Sequence, residues 1–144
     1  MNRPAVPSLE QLQRRIRVAR GLEPADLLLS GGQIVNVFTN RVEAGHVAIA
    51  DGVIAGIGPY PWTARQTIPL RGQTVLPGLI DSHMHLESTL LSPGELARMI
   101  VPHGTTATIS DSHEVGNVLG VPGIEALARA SEGLAFDLFL AASS

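Results

Sequence analysis

The chain has 144 residues, 44% of them hydrophobic and 16% charged, with 15 glycines, 10 prolines and a net charge of −3. That is a folded, loop-rich composition with no basic surface for nucleic acid. With no cysteine, disulfides, thiolate zinc sites and cysteine nucleophiles are excluded.

No apolar leader follows Arg3, Pro4 and Pro7, and no apolar run approaches the ~18 residues of a membrane span. The expectation is a soluble, cytoplasmic protein. Residues 1–22 form an N-terminal segment with a predicted helix, "SLEQLQRRIRVAR", from Ser8 to Arg20. Ser8 and Gln11 have the spacing of a capping box, and Gly21 can stop the helix. Leu9, Leu12, Ile16 and Ala19 recur at helical spacing, so this stripe is expected to pack on a neighbour.

Residues 23–76 read as β structure. "ADLLLS" leads to Gly31-Gly32 and then to "QIVNVF". In "HVAIADGVIAGIG", Asp51-Gly52 lies between two β-rich runs and signals a two-residue hairpin. "QTVLPG" is a further short strand. The expectation is a small antiparallel sheet or half-sandwich without chemistry of its own. Gly56 and Gly58 form a GxG with no helix after it, so a dinucleotide site is not indicated. His46, at a strand start, is expected to be exposed.

The pattern changes in residues 77–144. "TVLPGLI" is apolar and extended. "SPGELARMIVP" is a helix capped by Ser92, with Pro93 at its first position. "TTATIS" is a strand, "VPGIEALARASEG" a second helix, and "LAFDLFLAA" a third strand. Alternation at this spacing means parallel βα units. About three strands and two helices fall short of a barrel of ~200 residues or more, so the chain reads as the N-terminal portion of a longer polypeptide.

Chemistry in such architectures collects at the C-terminal ends of strands. The first strand leads into Asp81, His83, His85 and Glu87, and the second into Asp111, His113 and Glu114. In an extended segment residues i and i+2 share a side, so His83 and His85 can face one point while Met84 packs outward. Imidazole suits Zn, Fe and similar divalent metals. His83 and His85 are therefore expected to be metal ligands, with His113 a further candidate. Asp81 is expected to orient a histidine. Glu87 has three readings: ligand, substrate contact or helix cap. Asp111 sits on the same rim, and His103 reads as structural, before the stopping glycine.

The block "VLPGLIDSHMH", preceded by "ADLLLSGGQIVNV" and "VAIADGVIAGIG", resembles the amidohydrolase superfamily. "HLESTLLSPGELARMIVPHGTTATISDSHEVGNVLG" looks like the adenine deaminases within it, and "GLEPADLLL" agrees. Ser112 stands where that group more often has proline. The resemblance implies an α/β fold, here the start of a (β/α)8 TIM-like barrel preceded by a small β-sandwich half. It implies one or two divalent ions (Mn, Fe or Zn) on His83 and His85. His113 and Glu114 would belong to the rim, with Glu114 the candidate catalytic group. The implied reaction is hydrolysis of adenine to hypoxanthine and ammonia. There a metal lowers the pKa of water from about 15.7 toward about 7–9, and a carboxylate moves protons. The implied partner is this small substrate, with no nucleic acid or membrane, and the complete enzyme could be a homo-oligomer. Two alternatives stand beside it: another amidohydrolase acting on a cyclic amide or nucleobase, and a truncated non-catalytic remnant. The isolated chain is expected to lack turnover.

Overall fold

The computed structural model describes residues 6–141. The segment around Arg3 and Pro4, and the end of the predicted third strand at Ala142, lie outside these residues. Contacts divide the described residues into two units, 6–77 and 78–141.

The first unit begins with α1 (Leu9–Ala19), whose capping box is formed: Gln11 N–H donates to Ser8 Oγ, and Ser8 N–H donates to Gln11 Oε1. The helix is turned differently from the expectation. Leu9, Leu12 and Ile16 are exposed, and Val18 is its buried residue. Charge decides the orientation. Arg14 donates to Asp26 Oδ1 at 2.6 Å and Oδ2 at 3.0 Å, and also to Asp51. Arg17 donates to Glu23 at 2.8 Å. Val18 then joins Ala25, Leu28, Ala48, Ala50 and Trp62 in the core, and Trp62 Nε1–H donates to Ala19 C=O at 3.1 Å.

The sheet comprises β1 (Ala25–Asn36), β2 (Arg41–Ala50), β3 (Val53–Gly58), β4 (Ala64–Pro69) and β5 (Thr74–Val75), in the order β3-β2-β1-β4, with β5 also on β1. It is mixed rather than antiparallel, because β4 and β5 run parallel to β1. The sequence reading broke β1 at Gly31-Gly32. The strand instead continues through a register shift between Leu29 and Gly32, with Gly31 at φ 72°. The Asp51-Gly52 turn forms, with φ positive at both residues (51° and 73°), as a type I′ hairpin requires. His46 is half-buried inside β2, and its Nδ1 lies 3.2 Å from Gly31 N and 3.1 Å from Ser30 Oγ.

Asp26 ties this unit together and makes it acid-sensitive. The Arg14 hydrogen bonds, then the Asp51 backbone N–H, hold its carboxyl down from 3.8 to about 2. The folded state therefore binds fewer protons than the unfolded state between these values. The stabilisation is fully present above pH 3.8 and is lost as pH falls through about 2. In urea unfolding followed against pH, Asp26→Asn should lower the midpoint above about pH 4. The gap to wild type should close toward pH 2. A gap that stays constant over that range would rule out this role.

The second unit has a three-stranded parallel sheet, β6 (Leu79–Met84), β7 (Thr105–Ser110) and β8 (Asp137–Leu140), in that order. The crossovers are α2 (Pro93–Ile100), capped by Ser92 Oγ, and α3 (His113–Ala130). α2 passes into a 3-10 turn, Val101–His103, closed by Gly104 at φ 97°. Leu96 and Ala97 of α2 are buried, whereas Met99 is exposed. The second helix was expected from about residue 121. A helix does follow Gly120, whose φ 64° and ψ −156° are non-helical just before Pro122, but a further helical stretch from His113 precedes it, and α3 comprises the two across this kink. Among the described residues no helix is long and apolar enough to cross a membrane.

Candidate metal centre

β6 and β7 are held side by side at their C-terminal ends. Asp111 N–H donates to Met84 C=O at 2.9 Å, continuing the parallel ladder past the strands. Leu86 N–H donates to Ser110 Oγ at 3.2 Å, and Ser110 Oγ lies 3.2 Å from Ser112 Oγ. Ser110 and Ser112 are buried, as is the Leu86 side chain. This anchors the segment carrying His85 against the one carrying His113.

The register shifts between Asp81 and Met84, and β6 ends at Met84. His83 therefore lies in the strand and is exposed, while His85 lies beyond it and is half-buried. Their rings nevertheless come together, with centroids 5.1 Å apart and edge to face. The His85 and His113 rings are 4.8 Å apart. The compact donor set spans the two strand ends: potential ligand atoms of His85, His113 and Glu114 all lie within 4.8 Å of one another. His83 stands next to this set and is not one of its three members.

The other acids have distinct places. Asp81 accepts the backbone N–H of His83 at 3.1 Å, both residues lying within β6. Asp111 Oδ2 lies 3.5 Å from His113 Nδ1, the position from which a carboxylate orients an imidazole. Glu87 Oε1 accepts the Val115 N–H at 3.1 Å and so satisfies a donor in the first turn of α3, where Ser112 makes no side-chain cap. The helix it serves is α3, not α2, which begins nearest to it in sequence and is capped by Ser92. Ser88, absent from the sequence reading, donates to Glu114 Oε1 at 2.8 Å. Serine at a loop position carries too little local signal to reveal a partner 26 residues away. His103 lies in the turn that ends α2, away from this cluster in sequence and hydrogen bonding.

Parallel βα units with histidine and carboxylate donors at their strand ends make up the class of site on which many metal-dependent enzymes are built. The Amidohydrolase family model matches residues 74–144. Adenine deaminase of Kosmotoga olearia is 49% identical over 125 residues, 87% of this chain and 22% of that protein. Adenine deaminase 2 of Desulfotalea psychrophila is 45% identical over 129 residues, 90% of this chain and 22% of that protein. Among solved structures, the N-acyl-D-glutamate deacylase of Bordetella bronchiseptica with zinc and a phosphonate inhibitor matches 61% of this chain and 19% of its own, at 26% identity and a TM-score of 0.49. Residues 74–144 thus match the amidohydrolase family model, and most of the chain is similar to adenine deaminases. It spans about a fifth of the length of the curated relatives it matches.

Proposed function

We propose that this chain supplies the first metal-holding rim of an enzyme that hydrolyses adenine to hypoxanthine and ammonia. The observation that carries the reading is the approach of His85, His113 and Glu114 to within 4.8 Å across adjacent parallel strand ends. Similarity to adenine deaminases over most of the chain supports the substrate. On this reading residues 77–144 are the first βα units of a (β/α)8 barrel, 23–76 are half of a small β-sandwich, and 1–22 carry the leading helix. The enzyme would be cytoplasmic, with room for a homo-oligomer.

The residues fit a divalent cation. His85 Nδ1 and Glu87 Oε2 are buried without a hydrogen-bond partner. An unsatisfied buried polar atom costs about 1–3 kcal/mol, which a bound ion or its water relieves. Nitrogen and carboxylate donors suit Mn, Fe or Zn, as one ion or two. His85 and His113 would hold it, with Glu114 and His83 as the further donors. When bound, the cation makes hydroxide available from water near neutral pH. Asp111 keeps His113 turned toward the site by contact at its Nδ1. Glu87 fixes the start of α3. Glu114, exposed at the rim, serves as an ion donor in this reading rather than as the proton carrier, because its Oε1 already accepts from Ser88 and its other oxygen would face the ion.

A chimera tests the activity. This chain, replacing the matching part of the Kosmotoga olearia adenine deaminase, is expected to release ammonia from adenine in the presence of Mn²⁺. A chimera with a cooperative melting curve that turns over hydantoins or dihydropyrimidines instead would overturn the substrate. One that turns over none of these would overturn the function.

A further inference from the structure

We propose that Ser88 is a positioning residue for the cation site: its hydroxyl fixes the Glu114 carboxylate before the ion arrives. The inference rests on the reading of His85, His113 and Glu114 as a cation site.

Glu114 is exposed, and a glutamate at a helix start has several rotamers open to it. Ser88 removes that freedom by donating to Oε1 at 2.8 Å, and it engages only one of the two carboxylate oxygens. The hydroxyl is well placed to do so because its own backbone is fixed. Ser88 is the middle residue of the 3-10 turn Glu87–Thr89, which Leu90 ends at φ 58°. Within that turn Thr89 N–H donates to Leu86 C=O at 3.0 Å and Thr89 Oγ1–H to the same oxygen at 2.6 Å. Leu86 is in turn buried and bonded to Ser110.

The neighbouring residue acts on the same target. Glu87 Oε1 takes the Val115 N–H at 3.1 Å. Consecutive side chains of one turn thus hold the side chain of residue 114 and the backbone of residue 115. The loop after β6 thereby pre-forms the donor supplied by the segment after β7, and ordering entropy is met during folding rather than on binding.

Partners that orient metal ligands typically account for about 10–100-fold in affinity. Titration of the purified chain with Mn²⁺ by calorimetry, and with Co²⁺ by its visible absorption, provides the test. Ser88→Ala should weaken binding about tenfold and alter the Co²⁺ spectrum, with an unchanged metal-free melting curve. Ser88→Thr should restore both. In a Glu114→Gln background Ser88→Ala should have little further effect, because the two act as one unit. If wild type binds and Ser88→Ala binds equally well, the positioning role is overturned while the cation site stands. If Ser88→Ala instead melts well below wild type, Ser88 serves the fold, and the role is overturned as well. If wild type binds neither ion, the cation site itself is overturned, and this role with it.

Discussion

Replacing His85 by alanine is expected to weaken divalent-cation binding by at least about 100-fold, since residues that merely orient ligands already account for about 10–100-fold. His113→Ala should cost as much. Both side chains belong to the set within 4.8 Å, and the His85 ring neighbours both other rings, 5.1 Å from His83 and 4.8 Å from His113. His83→Ala should cost less, about tenfold, because the exposed His83 ring stands beside the set. Calorimetric titration of the three variants with Mn²⁺, each checked for an unchanged melting curve, decides the matter. A loss for His83→Ala equal to that for His85→Ala, with His113→Ala near wild type, would mean that the centre is built on one strand end rather than across two.

That ordering marks the limit of what the motif alone could say. Alternation along an extended chain puts positions 83 and 85 on one side. Yet β6 shifts register after Asp81 and ends at Met84, so His85 is placed by the segment beyond the strand, through the buried Leu86 and its bond to Ser110. The features legible in the sequence were those with local causes. Ser92 caps α2, positive φ at Asp51-Gly52 makes the hairpin, and the β-branched run Thr105–Ser110 makes β7. Features set by distant partners were not legible. α3 opens at His113 because its first turn is satisfied by Glu87, 28 residues before Val115, and not by Ser112. α1 turns its charged face to the sheet because Asp26 and Asp51 wait there for Arg14. β4 is not among the strands read from the sequence, since its pairing is with β1 in parallel and far upstream.

The strand that delivers the histidines depends on a single close approach, which gives the largest expected effect on stability. Gly78 precedes β6, beside Thr106 of β7. A Cβ at position 78 would meet Thr106 Oγ1 at 1.9 Å, Cγ2 at 2.5 Å and Cβ at 2.7 Å. Rotating the threonine about χ1 moves the first two atoms but not its Cβ, so the side chain alone cannot relieve the contact. The backbone must separate where the Leu79↔Thr105 and Ile80↔Ala107 pairs begin the sheet. Overpacking of this kind typically costs about 1–3 kcal/mol, and Gly78→Ala should fall at the upper end, because backbone rather than a flexible tip has to give. Thermal or urea unfolding of the purified chain measures it. Adding Thr106→Ala removes the two nearest atoms and leaves the 2.7 Å contact, so the double variant should recover part of the loss and not all of it. Additive effects of the two substitutions would mean that Gly78 matters for another reason. Cation affinity should fall together with stability in Gly78→Ala and return with it in the double variant, because the same β6–β7 pairing brings His85 to His113.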